Sequence, residues 1–103
     1  MEKTTYNGWT NYETWNVALW MDNEQGMQEY WRDRALNWLA ISVADKVFTK
    51  EERATLDLAD EIREKFNDGM PDLGASTYAD LLNSAMSEVN WYEIAKRLIE
   101  DNQ

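Results

Sequence analysis

The residue types most able to do chemistry in this chain are the aromatic side chains near its start. The segment YNGWTNYETWNVALW, residues 6–20, holds Tyr6, Trp9, Tyr12, Trp15 and Trp20. Tyrosine and tryptophan dominate the binding energy of many protein interfaces, because they bury a large and rigid surface. We therefore predict a partner-binding surface in this segment, made of Tyr6, Trp9, Tyr12 and Glu13.

The same rings have a structural interpretation, in which they build the core of a small domain. A short chain hides a smaller fraction of its surface than a long one, and each buried aromatic removes roughly 150–250 Å² from water. Aromatic residues at helical spacing are more often core than binding surface. A third interpretation combines the two: Trp15 and Leu19 are buried in the core, and Tyr6, Trp9 or Tyr12 is partly exposed.

Carboxylates are the second group of side chains that could do chemistry. Asp57, Asp60, Glu61 and Glu64 have spacings that place several of them on one helix face. Acid–base catalysis or magnesium binding needs such groups in a concave and partly dry site, which a smooth helix does not offer. The chain has no histidine and no cysteine, so the commonest general base and the thiolate nucleophile are absent. We expect a protein that is not an enzyme, with no metal and no cofactor.

The charge balance limits the class of partner. The chain has 20 acidic and 10 basic residues among 103, for a net charge of −10. Such a protein repels phosphate groups, so we expect no direct binding to nucleic acid or to a membrane, and favour a partner with a basic surface. No stretch approaches the ~20 apolar residues of a membrane span, and the start MEKTTYNGW lacks the apolar run of a signal peptide. We expect a cytoplasmic protein.

Helices are predicted to position these residues. The first begins after Thr10 or Asn11, where Thr10 and Glu13 have the spacing of a capping box. Its apolar residues fall on two faces, which is typical of a helix at the centre of its domain. The second helix runs from Met27 to about Lys46.

Three more helices are predicted by capping residues. Thr49 with Glu52 starts the third, Ser76 the fourth and Asn90 the fifth, and Gly69 ends the third. Apolar stripes at helical spacing follow these starts: Ala54, Leu58, Ile62 and Phe66 in the third helix; Tyr78, Leu81, Leu82, Ala85 and Met86 in the fourth; Trp91, Ile94, Ala95, Leu98 and Ile99 in the fifth. No strand alternation appears. We predict an all-α fold, a compact single domain over residues 1–103 with about five helices and an aromatic-rich core.

Two charge arrangements accompany these helices. Glu61 and Lys65 stand four residues apart, the spacing of a mildly stabilising pair on a helix surface. Lys96 and Arg97 are a basic pair in the last helix, and we expect them to interact with the carbonyl groups at its C-terminal end.

Three segments of the sequence resemble one family: NGWTNYETWNVALW, PDLGASTYADLLNSA and SEVNWYEIAKRLIED. They are similar, in the same order, to a group of small, functionally uncharacterised proteins carried largely by bacteriophages and other mobile elements. The resemblance implies a phage or mobile-element origin, and it carries over no catalytic residues.

Three functional hypotheses follow. The first is a non-enzymatic protein that binds and modulates a host protein, such as a defence or nucleic-acid-processing factor. The second is a DNA mimic that inhibits a DNA-binding protein, which the net charge favours and the mixed charges of the third helix oppose. The third is a self-associating structural protein, in which surplus aromatic surface forms a homodimer interface.

Overall fold

The part of the chain that the structure describes folds into five helices, as the sequence predicts. A computed structural model describes residues 5–103. The helices are α1 (Tyr12–Asp22), α2 (Gln25–Ile41), α3 (Lys50–Asp68), α4 (Thr77–Ser87) and α5 (Trp91–Asp101). No strand forms within residues 5–103, where Tyr6 and Trp9 make an isolated antiparallel bridge. The all-α prediction is confirmed. The first residues of the chain, MEKT, to which the signal-peptide expectation partly applies, lie outside the described range.

Side-chain caps fix the starts of three helices where they were predicted. At α3, Thr49 Oγ1 accepts a hydrogen bond from Glu52 N at 3.1 Å, and Glu52 Oε1 accepts one from Thr49 N at 2.8 Å. This capping box satisfies two backbone donors that a helix start leaves without partners. Ser76 caps α4 and Asn90 caps α5 through side-chain oxygens.

The capping box predicted at Thr10 and Glu13 is wrong. Asn11 is the cap of α1, since its Oδ1 accepts a hydrogen bond from Thr14 N at 2.9 Å. Thr10 is one residue outside the helix, and its backbone N–H is used elsewhere, in a 3.1 Å hydrogen bond to the Glu93 carboxylate. Asparagine is at least as strong a cap as threonine, so local preference already favours Asn11 over its neighbour.

The second helix ends earlier than predicted, at Ile41 rather than near Lys46. A turn closes just beyond it, because Asp45 Oδ1 accepts hydrogen bonds from Val47 N at 2.8 Å and Phe48 N at 2.7 Å. Aspartate favours such turns because its side chain accepts hydrogen bonds from the backbone a few residues further on. The Phe48 N–H, followed by that of Val47, holds the pKa of Asp45 below its ordinary value.

The core lies where α3 and α5 pack against each other, with α2 across both. The α3 stripe is confirmed, since Ala54, Leu58 and Ile62 are each 0 % exposed. Burying a side chain of the size of leucine or isoleucine stabilises the fold by about 1.5–3 kcal/mol. The prediction that the first helix is central is wrong, because α1 packs on α2 and α5 and does not join the main helix pair.

Aromatic rings surround this core more than they fill it. Trp31 is the one aromatic residue among the fully buried core side chains of the described range. Four further rings are partly buried and pack against the core: Trp9, Trp38, Phe66 and Trp91. The expected burial of Trp15 and Leu19 is wrong, since Trp15 is half-buried and Leu19 is 44 % exposed. The α1 face that packs inward carries Thr14, Val17 and Met21 instead.

Helix α4 is peripheral and has no fully buried residue. Leu82, Ala85 and Met86 are half-buried, whereas Tyr78 and Leu81 are exposed. The predicted apolar stripe of this helix is therefore only partly used for packing.

A half-buried ion pair joins α2 to α3. Arg34 Nε lies 2.9 Å from Glu61 Oε2, and Trp38 Nε1 donates to Glu61 Oε1 at 2.8 Å. The predicted pair of Glu61 with Lys65 does not form, because Glu61 is used between helices. Lys65 lies over the ring of Tyr30 instead, with Nζ 4.8 Å from the ring centroid.

Candidate protein-binding surface

The surface begins with a tight turn at Asn7 and Gly8. Tyr6 and Trp9 exchange two backbone hydrogen bonds, each of 2.8 Å. Asn7 has φ +48° and Gly8 has φ +86°, and two consecutive positive φ angles are what a type I′ turn requires. The Asn-Gly pair is the dipeptide that best tolerates this geometry. The turn reverses the chain directly before α1, as the sequence indicates.

The turn brings three aromatic rings together, which we call the aromatic cluster: Tyr6, Tyr12 and Trp15. The Tyr6 and Tyr12 rings meet edge to face, with centroids 5.2 Å apart and planes at 87°. The Trp15 centroid lies 4.9 Å from that of Tyr6 and 5.5 Å from that of Tyr12. Such pairs stabilise each other beyond the surface they bury. The cluster is nevertheless open to solvent, since Tyr6 is 40 % and Tyr12 49 % exposed.

Arg97 of α5 holds the turn in place. Its guanidinium carbon lies 3.8 Å from the centroid of the Trp9 ring, and its Nη2 donates a hydrogen bond to Gly8 O. Glu93 completes the arrangement, with Oε2 3.5 Å from Arg97 Nη2 and Oε1 accepting from Thr10 N at 3.1 Å. A guanidinium group stacks well on an aromatic face and donates in its own plane at the same time. The expectation that Arg97 interacts with the carbonyls at the end of α5 is wrong.

A second junction ties the start of α1 to the start of α5. Thr14 is 0 % exposed, and its Oγ1 accepts a hydrogen bond from Asn90 N at 2.9 Å while donating to Asn11 Oδ1 at 2.6 Å. Asn11 Nδ2 donates in turn to Glu88 O at 2.7 Å. These bonds fix the position of α1, from which Tyr12 and Trp15 project.

A groove of about 460 Å³ adjoins the aromatic cluster, between α1, α5 and the start of α2; Trp15 belongs to both features. We call it the Trp31 groove. Its apolar and aromatic lining consists of Trp9, Trp15, Ala18, Leu19, Met21, Trp31, Ile94 and Leu98. Its polar lining consists of Asp22, Gln28, Arg97 and Asp101. Its volume falls within the range of small-ligand sites.

Of the four predicted binding residues, two pack ring against ring and two have other environments. Tyr6 and Tyr12 are neighbours in the aromatic cluster. Trp9 is partly buried, packs against the core and carries Arg97, so its role includes holding the turn. Glu13 is half-buried, and its carboxylate makes no hydrogen bond or ion pair with residues 5–103.

Sequence reasoning missed Trp31 and Arg97 as site residues. Trp31 is part of the core and also lines the groove. Arg97 lies 89 positions from Gly8, its hydrogen-bond partner. No local pattern in the sequence links two residues so far apart.

Within the described part of the chain, no group of three or more aspartate or glutamate side chains is placed so that it could hold a metal ion. None of the helices in residues 5–103 is both long enough and apolar enough to cross a bilayer.

Comparison with known proteins gives the chain a family without an activity. No curated protein and no solved structure matches it significantly. One family model, described as a family of unknown function (DUF7249), matches residues 2–103. The expectation of a functionally uncharacterised family is thereby confirmed. Since the match extends over almost the whole chain, the protein belongs to this family of unknown function.

Proposed function

We propose that this protein is a small, acidic and non-enzymatic product of a bacteriophage or another mobile element that binds a host protein with a basic surface, in the host cytoplasm, and modulates it. The observation that carries the proposal is the aromatic cluster of Tyr6, Tyr12 and Trp15. Its two tyrosines are exposed, although the turn before α1 and the Thr14 junction hold the cluster in place.

Rigid exposed rings favour binding because little conformational entropy is lost when a partner covers them. The turn at Asn7 and Gly8 fixes Tyr6, and the Thr14 junction fixes the helix that carries Tyr12. Interface hot spots are enriched in these residue types and surrounded by less important contacts. The cluster therefore has the composition and the preorganisation of a binding anchor.

The charge of the chain favours a basic partner. The net charge is −10, and the ion pairs formed among residues 5–103 involve Glu61, Glu93 and Glu100. Most other carboxylates of this range lie at exposed positions without such a pair. A field of one sign accelerates the encounter with an oppositely charged surface.

Affinity capture from a lysate of the host tests the proposal. The bait is the full chain, compared with the double variant Tyr6→Ala/Tyr12→Ala. A matched control, Tyr78→Ala/Tyr92→Ala, removes two tyrosines of similar or greater exposure from other helices. We expect a stoichiometric basic partner with the wild type and the control, and at least tenfold weaker binding by the cluster variant. Circular dichroism checks that each variant is folded.

Other results would contradict the proposal or favour the other hypotheses. Equal capture by the cluster variant would show that the rings do not form the interface. Competition of the captured partner by duplex DNA, with binding that weakens steeply as salt rises, would favour the DNA mimic. Sedimentation of the purified chain as a dimer at micromolar concentration, with no partner captured, would favour the self-associating protein.

A further inference from the structure

The Trp31 groove contains a buried hydrogen-bond donor with no acceptor. Trp31 is 1 % exposed, and its Nε1–H has no hydrogen-bond partner in the described part of the chain. An unpaired buried donor costs about 1–3 kcal/mol, so such groups are rare and usually have a functional or solvent partner. Trp31 lines the groove, so its indole signal reports on a molecule that binds there.

The charges that line the groove favour a cation. Asp22 and Asp101 contribute carboxylates and are exposed, and neither forms an ion pair with residues 5–103. Arg97 is the one cation in the lining, and Glu93 already pairs with it at 3.5 Å. The lining therefore has an excess of negative charge that is free to attract a positive group.

The aromatic lining narrows the choice of cation. The Trp9 ring already carries the Arg97 guanidinium at 3.8 Å. The Trp15 ring lines the same groove and has no cation placed over it among the described residues. A guanidinium group stacks on such a ring, while the aliphatic part of an arginine side chain packs against leucine and methionine.

We propose that the Trp31 groove binds an arginine side chain of the partner, with the guanidinium near Asp22, Asp101 and the Trp15 ring. This inference rests on the proposed function and names the residue type that the partner inserts beside the aromatic cluster.

Titration with a small arginine probe tests the groove without the partner. The probe is N-acetyl-L-arginine N-methylamide, whose guanidinium is its one charged group. Its neutral and anionic counterparts are the norleucine and glutamate derivatives with the same end groups. Two-dimensional NMR of the ¹⁵N-labelled full chain follows the indole N–H signals, and the signal of Trp31 is assigned as the one lost in Trp31→Phe. Trp20, which is 60 % exposed and does not line the groove, is the internal control.

We expect the arginine probe to shift the Trp31 indole signal saturably, in the millimolar range typical of so small a ligand, and to leave the Trp20 signal in place. Asp22→Asn and Asp101→Asn should each weaken binding about 1.5- to 5-fold, the effect of one solvent-accessible charge pair. Asp33→Asn makes the same change on α2 outside the groove and should leave the affinity unchanged.

Three results would overturn the inference: no saturable shift at tens of millimolar probe, equal binding of the norleucine derivative, or preferential binding of the glutamate derivative. Any of these, together with capture of a partner that depends on Tyr6 and Tyr12, would reject the arginine site and leave the proposed function intact. Specific arginine binding without any captured partner would reject the proposed function instead.

Discussion

Replacement of Thr14 by valine tests whether one hydroxyl group fixes the helix that presents the aromatic cluster. Valine has nearly the shape of threonine, so the change removes Oγ1 without leaving a cavity. The side chain is 0 % exposed, and Oγ1 takes part in two hydrogen bonds, from Asn90 N at 2.9 Å and to Asn11 Oδ1 at 2.6 Å.

The two partners are affected differently. Asn11 Oδ1 keeps its hydrogen bond from Thr14 N at 2.9 Å, so it is still satisfied in the variant. Asn90 N has no other acceptor among the hydrogen bonds of the described chain. The loss of one net hydrogen bond and the presence of an unsatisfied donor together predict that the free energy of unfolding falls by about 1–3 kcal/mol. In a domain of this size, each kcal/mol lowers Tm by about 4–8 °C.

The assay combines urea unfolding, followed by circular dichroism, with hydrogen exchange of the Asn90 amide. Thr14→Ser is the matched control, because it keeps the hydroxyl and removes the methyl group, at a cost of about 1 kcal/mol. In Thr14→Val the Asn90 amide should lose its protection, whereas in Thr14→Ser it should keep it. A valine variant within about 0.5 kcal/mol of wild type, with Asn90 still protected, would refute the reasoning and show that packing alone holds the junction.

Two further predictions concern single positions. Trp15→Ala should lower the free energy of unfolding by about 1–3 kcal/mol, below the 3–5 kcal/mol of a fully buried ring, because Trp15 is half-buried. Trp20→Ala on the same helix removes a side chain that is 60 % exposed and should cost less than about 0.5 kcal/mol in urea unfolding; equal losses would show that ring burial does not set the difference. The lowered pKa of Asp45 means that its stabilising contribution is complete above its ordinary pKa of about 3.8 and is lost as pH falls through the lower folded value. NMR titration of the Asp45 carboxyl should give a pKa below that ordinary value, and Asp45→Asn should abolish this part of the acid dependence of stability.

The helices were predictable where local sequence alone determines them. The capping box of Thr49 and Glu52 uses two residues three positions apart, and it forms as predicted. The α3 stripe was equally clear, because a regular spacing of apolar residues has only one way to be buried. The predicted end of α2 was wrong because apolar spacing does not reveal the turn beyond Ile41, where the Asp45 side chain accepts from Val47 N and Phe48 N.

The candidate site was less predictable, because distant residues decide which faces of α1 are buried. Apolar residues lie all round this helix, so periodicity does not select an inner face. The selection depends on Thr14, a polar residue whose buried hydroxyl finds its partner 76 positions away in the chain. A sequence pattern gives no reason to place threonine inside and Leu19 outside.

The exposed rings of α1 and the acidity of the chain are best explained together. Tyr12, Leu19 and Trp20 are 49 %, 44 % and 60 % exposed on one short helix, and apolar surface gathered in this way usually marks a binding site. Such a surface also promotes self-association, which a net charge of −10 opposes by repulsion between copies. The same charge attracts a basic surface. A chain with these two properties is biased away from its own copies and toward a partner of opposite charge, and this combination favours the host-binding hypothesis over the homodimer.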